Sequence, residues 1–222
     1  MLNANILDTF IFSNSEIKYK KYHCARTLEA FRFLNINRDE EIAACYEAIE
    51  KQFAGKATND ECVRVVFSVT EPAEYSVTVR KLEPFNSEII LNVVSLQSPP
   101  GPDRAFKWEN RESWDRLAKD RPAGAIDTLV LNSGLLVETS RFNIFCYDAA
   151  SDLILTPELS SGCLNGVLRR FAIATGFLSL PGSEKIKIIE KNVSFKDIKN
   201  YKIFVGNSVR GVLPATIMPT IS

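Results

Sequence analysis

The stretch AIDTLVLNSGLLVETSRFNIFCY, residues 125–147, decides the fold class. Residues 125–131 form an apolar run suited to a strand. Asn132, Ser133 and Gly134 are turn formers, and LLVET, residues 135–139, reads as the return strand. FNIFCY, residues 142–147, is a further short strand. Outward from this hairpin, strands are predicted at 153–155, 185–190 and 201–206. A helix at 164–176 follows Gly162, and a small helix separates the last two strands. This half mixes helices with many short strands and does not form a long series of parallel β–α–β units.

In the other direction, residues 111–120 suit a short helix. SPPGPDR, residues 98–104, is rich in proline, which has no N–H to donate to a sheet interior. It is the candidate domain linker, or an ordered loop over a ligand site. Upstream, ILDTFIF at 6–12 reads as a strand closed by a turn at Asn14 and Ser15. Leu28, Phe31 and Leu34 give 21–34 the spacing of a buried helix face. Ile42, Cys45, Tyr46 and Ile49 do the same for 39–53, whose first turn holds Asp39, Glu40 and Glu41. The period then changes to two. CVRVVFSVT, residues 62–70, places Val63, Val65 and Phe67 on one face, and strands follow at 75–81 and 88–96. The expected class is α+β, mixed α/β, in two domains: a small amino-terminal domain of residues 1–97 and a domain of residues 105–222.

The 222 residues are 45% hydrophobic, enough for a substantial core, and carry 27 basic and 27 acidic side chains. A net charge of zero does not suggest attraction of nucleic acid, and Lys18, Lys20 and Lys21 fit a solvated helix start. No apolar segment approaches the roughly 20 residues of a membrane span, and MLNANILDTFIF lacks the layout of a secretory signal. Cys24, Cys45, Cys62, Cys146 and Cys163 are widely spaced, as in a reducing cytoplasm. With a single histidine, no metal site is expected.

Several polar residues stand where packing alone predicts something else. Lys107 lies between Phe106 and Trp108, where desolvation would leave more free amine to attack a carbonyl, unless it snorkels out of an aromatic patch. Glu138 ends an apolar strand and needs a partner. That partner is an arginine such as Arg141 or Arg169, or the protonated ring nitrogen of a heterocyclic cofactor. SSGCLNGVLRR, residues 160–170, brings glycines to a helix start whose first N–H groups suit a phosphate; an ordinary glycine-rich helix start reads the same way. In VGNSVRG, residues 205–211, Asn207 and Ser208 are either phosphate donors or turn formers. Arg26 and His23 sit on one side of the first helix, where Arg26 offers a fork to a phosphate and His23 reads as core or surface. Glu109 and Arg111 form a possible ion pair near Lys107.

In chain order HCAR at 23–26, KWENR at 107–111, LVETSRFNIF at 136–145, LNGVLRR at 164–170 and GNSVRGVLP at 206–214 resemble the class IV aminotransferase family. The resemblance spans about residues 7 to 216. It implies pyridoxal 5'-phosphate as cofactor and a small amino-acid-like substrate. The family site lies between two domains, with a homodimer partner's loop helping to cover it. Residue by residue, Lys107 matches the lysine that joins the cofactor and moves protons, and Glu138 matches the carboxylate on the pyridine nitrogen. Arg26, the backbone of Val167 and Leu168, and the Asn207–Ser208 loop match the phosphate site. His23, Asn110, Arg111 and Asn143 match supporting positions. Within the family, KWENR and GNSVRGVLP look more like 4-amino-4-deoxychorismate lyases, which release pyruvate and 4-aminobenzoate on the way to folate, than like branched-chain or D-amino acid aminotransferases. Members usually carry roughly twenty further residues before the strand matching ILDTFIF, so a truncated amino-terminal domain is expected. A third possibility is a protein that keeps the fold without the activity.

Overall fold

The computed structural model describes residues 5–56, 61–70, 72, 74–82, 88–96 and 101–219. The chain divides into two units. The first holds the described residues among Met1–Pro84 together with Phe106–Arg111, and the second those among Phe85–Ala105 and Glu112–Ser222.

The first unit begins with β1 (Ile6–Phe10), then a small hairpin of β2 (Phe12–Ser13) and β3 (Glu16–Ile17). Asn14 and Ser15 make its turn with positive φ, a conformation short polar side chains tolerate. Helices α1 (Lys20–Phe33) and α2 (Asp39–Phe53) follow, then β4 (Glu61–Phe67) and β5 (Tyr75–Lys81). The strands make an antiparallel sheet in the order β1-β4-β5, with Ile6 opposite Phe67 and Phe10 opposite Val63. α2 buries the predicted Ile42, Cys45, Tyr46 and Ile49, and β4 buries Val63, Val65 and Phe67. Each such side chain contributes roughly 1.5–3 kcal/mol on leaving water.

Residues 106–111 return to this unit. The N–H of Leu7 donates to Lys107 O (2.9 Å) and that of Glu109 to Asn5 O (2.7 Å), so the segment lies along β1 as a short edge. Phe106 and Trp108 anchor it, with ring centroids 4.9 and 6.5 Å from Phe33.

The second unit contains β6 (Ile89–Ser95), a tight helical turn at Pro102–Ala105, α3 (Glu112–Lys119), β7 (Asp127–Asn132), β8 (Leu135–Thr139), β9 (Asn143–Asp148) and β10 (Leu153–Thr156). After a turn at Leu159–Ser161 come α4 (Val167–Thr175), β11 (Phe177–Ser179), β12 (Lys185–Glu190), a turn at Phe195–Asn200, β13 (Lys202–Asn207) and β14 (Gly211–Ile217). The nine strands run β11-β12-β10-β9-β13-β14-β6-β7-β8 in one mixed sheet.

Three findings depart from the sequence reading. β6, expected in the amino-terminal domain, pairs in parallel with both β7 and β14. Its buried Ile89 and Leu91 join the core of the second unit, so the division falls before β6 rather than near residue 100. Of the expected linker, residues 98–100 lie outside the described residues, while 101–104 lead into the Pro102–Ala105 turn. β11 and β14 were not anticipated. β14 is interior yet contains Pro214, normally an argument against a central strand. Its pairing with β6 begins only at Ala215, so the missing N–H falls before that ladder starts.

Candidate active site

In the first unit, β1 carries an acid within apolar surroundings. Ile6, Asp8 and Phe10 share one face by strand alternation, and Leu7 and Thr9 the other. Asp8 is fully buried. Its carboxylate accepts from His23 Nδ1 at 2.9 Å to both oxygens, from Arg26 Nη2, from Tyr46 Oη and from the N–H of Thr9 (2.8 Å). Burial pushes the Asp8 carboxyl up, but His23 and Arg26 outweigh it and hold the group far below the usual carboxylate range. Tyr46 is shared with Thr27 (2.8 Å). Burial pushes the His23 imidazole down, against the pull of Asp8, and its Nε2 has no hydrogen-bond partner among the described residues.

On the other side of β1, Lys107 Nζ donates to Thr9 Oγ1 at 3.1 Å. Burial first, then the Arg26 guanidinium, lowers the Lys107 ammonium to about 7, with Arg111 and Arg64 pushing the same way and Asp8 opposing. A lysine in this state is divided between ammonium and free amine near neutral pH. Glu109 accepts from Asn5 Nδ2 (2.9 Å) and pairs with Arg64 (3.6 Å). Asn110 is exposed and Arg111 half-buried.

In the second unit, Glu138 lies on β8 opposite Val130, beside an irregularity in the β7–β8 register. It is buried. Oε2 accepts from the N–H of Leu164 (3.1 Å), and Oε1 lies 3.8 Å from Arg104 Nη2. Arg104 itself sits over the Trp114 ring, 4.8 Å from its centroid. The two arginines weighed as partners of Glu138 go elsewhere, Arg141 to Asp127 and Arg169 to Glu190 and Pro157 O. Asn143, buried on β9, donates from Nδ2 to Leu164 O (2.9 Å). Leu164 is therefore gripped at both ends of its backbone, by Glu138 and by Asn143. This grip fixes the start of α4. A Cβ on Gly166 would lie 2.0 Å from Asn143 Oδ1, so any other residue would have to displace the Asn143 side chain. Val167 and Leu168 open α4, where backbone N–H groups have no intrahelical carbonyl to reach.

At the end of β13, a Cβ on Gly206 would lie 3.0 Å from Leu168 Cδ2 and 2.8 Å from Gly211 O. Its absence lets the strand approach α4. Asn207 Oδ1 accepts from Val209 and Arg210 N–H in its own loop, and Nδ2 donates to Arg141 O between β8 and β9. That is the turn-former alternative. Ser208 is buried.

The structure thus groups His23, Arg26 and Lys107 in one unit, and Glu138, Asn143 and the Val167–Leu168 helix start in the other. Asp8, Thr9, Tyr46, Arg104 and Leu164 were not singled out from sequence as functional. Asp8 alone left a signal, as an acid inside the apolar run ILDTF. No group of His, Cys, Asp or Glu fit to hold a metal occurs among the described residues, and no disulfide joins the cysteines. No described helix is long and apolar enough to cross a membrane.

The fold has counterparts. The profile of the amino-transferase class IV family matches residues 5–218, so the chain belongs to that family. No curated protein sequence matches it. Among solved structures, a provisionally assigned amino-acid aminotransferase from Mesorhizobium loti superposes with a TM-score of 0.77 at 21% identity, covering 97% of this chain and 100% of that one. A provisionally assigned 4-amino-4-deoxychorismate lyase from Legionella pneumophila gives 0.80 at 17%, covering 99% and 85%. A hypothetical aminotransferase from Mycobacterium tuberculosis with pyridoxal phosphate bound gives 0.77 at 15%, covering 97% and 82%. At these identities the likeness is one of fold. Family membership makes pyridoxal phosphate the cofactor. Taken unit by unit, the residues fit it: in the first the near-neutral amine of Lys107, and in the second the Glu138 carboxylate held by the Leu164 N–H and the helix start behind Gly166.

Proposed function

We propose that the chain is a pyridoxal-phosphate-dependent aminotransferase acting on a small amino-acid-like substrate, as a cytoplasmic homodimer without a nucleic-acid partner. The observation that carries this is Lys107, an amine lowered to about 7 and oriented by Thr9. When bound, the cofactor supplies an electron sink for charge developing at the substrate Cα. Lys107 takes the Cα proton as its free amine and returns it as the ammonium, both forms being accessible near neutral pH. Glu138, held by the Leu164 N–H, is the carboxylate that would pair with a protonated ring nitrogen. The groups that would hold the phosphate are Arg26 from the first unit and the first N–H groups of α4 and Ser208 from the second. Asn110, Arg111, His23 and Asn207 support these groups.

One observation favours a second reading, the 4-amino-4-deoxychorismate lyase. The Thr9 hydroxyl beside Lys107 offers a second proton site, which suits expulsion of a three-carbon unit that must leave with a proton. KWENR and GNSVRGVLP favour it too. The discriminating assay offers the loaded protein amino acid donors with a keto acid acceptor. Appearance of the acceptor's amino acid is expected. Pyruvate release from 4-amino-4-deoxychorismate without any acceptor, and no transfer from any donor, would favour the lyase.

A further inference from the structure

We propose that Asp8 is a positioning residue, which fixes Arg26 as a rigid anion-binding fork and serves as the buried counter-ion of Lys107. The Arg26 arm rests on the cofactor reading above, while the Lys107 arm does not.

Asp8 is bound from three elements at once. His23 and Arg26 reach it from α1, Tyr46 from α2, and the N–H of Thr9 from β1 itself. All three side chains are buried. A carboxylate with so many donors cannot rotate without leaving charges unpaired, so it acts as a fixed post. Arg26 is tied to that post through Nη2, and among the described residues nothing else holds its guanidinium. The arginine is therefore oriented before an anion arrives, which spares the ordering cost of binding.

The same post neighbours Lys107 through the chain. Thr9 follows Asp8 and accepts from Lys107 Nζ, while Leu7 precedes it and donates to Lys107 O. The charged groups acting most on Lys107 are Arg26 from α1, Arg64 from β4, Arg111 from its own segment, and Asp8, with Glu109 paired to Arg64 beside them. Of the four, Asp8 alone is an anion and opposes the three guanidinium groups.

The test begins on the protein without cofactor. Lys107 is labelled with pyridoxal, which lacks the phosphate, and trapped by cyanoborohydride across pH, with peptide mapping. In Asp8→Asn the midpoint of labelling is expected to fall by about half a pH unit or more. The preference for pyridoxal phosphate over pyridoxal in equilibrium binding is expected to drop about tenfold, and Asp8→Glu to recover part of both. A folded Asp8→Asn with the wild-type midpoint and wild-type preference would overturn the proposal. Should Asp8→Asn not fold, Tyr46→Phe and His23→Gln loosen the post while keeping its charge. A loss of phosphate preference with an unmoved midpoint supports the proposal there, and an unchanged preference overturns it. If the wild type itself shows no preference for the phosphate, the cofactor reading fails, and the labelling midpoint alone decides the role of Asp8.

Discussion

Lys107 is the residue on which chemistry and stability meet. Its folded-state value of about 7 lies below the ordinary 10.5. Below pH ~7 the amine is charged at a cost to the fold, and between ~7 and ~10 the unfolded chain binds the extra proton. The stability contribution of this site therefore rises with pH over that window. Urea melts of the cofactor-free protein at several pH values are expected to show that rise, and Lys107→Met to lack it. Catalysis follows the same titration, since only the free amine accepts a proton. The rate should climb through pH ~7 and level off, and Lys107→Ala should lower turnover by about 10²–10⁴-fold with the far-UV circular dichroism unchanged.

The element that matters most is α4, because its start is placed by a strand rather than by its own cap. Gly166 has no capping side chain, and the anchoring comes from Asn143 and Glu138 through Leu164. Gly166→Ala forces Asn143 off Leu164 O. The expected result is a loss of about 1–3 kcal/mol in stability and about tenfold weaker cofactor binding. Asn143→Ala should do much the same, and the double variant should add little, since both break one contact. Isothermal titration and denaturant melts check this. Elements with one clean period were legible in sequence: α2, β4 and β5 stand where the spacing put them. β14 was not, because Pro214 disguises an interior strand whose partner begins one residue later. Asn143 matched only a supporting position in the sequence, and the structure gives it Leu164 as the handle. Asp8 was hidden for another reason. A buried acid looks like an exposed one until the helices that neutralise it are in place.

At the scale of the molecule, the chain leaves the first unit before β6 and comes back for residues 106–111. Composition cannot reveal such a return, since proline and glycine mark a break without saying which side each strand joins. The assignment of β6 has a consequence for hydrogen exchange. β6 is interior to a nine-stranded sheet, while β5 is an edge with mostly exposed side chains. Amides of β6 should exchange as slowly as those of β7, and those of β5 much faster. Fast exchange across β6 would count against its place beside β7 and β14. Cofactor binding should also stabilise the fold by ~2.7 kcal/mol at a hundredfold excess over Kd, so that the melting temperature rises with concentration, and more for pyridoxal phosphate than for pyridoxal. The most direct test of the whole account is to load the protein with pyridoxal phosphate, reduce it with borohydride, and map the labelled peptide. The label is predicted on Lys107 alone. A stable label on another lysine, or none on a folded and saturated protein, would contradict it.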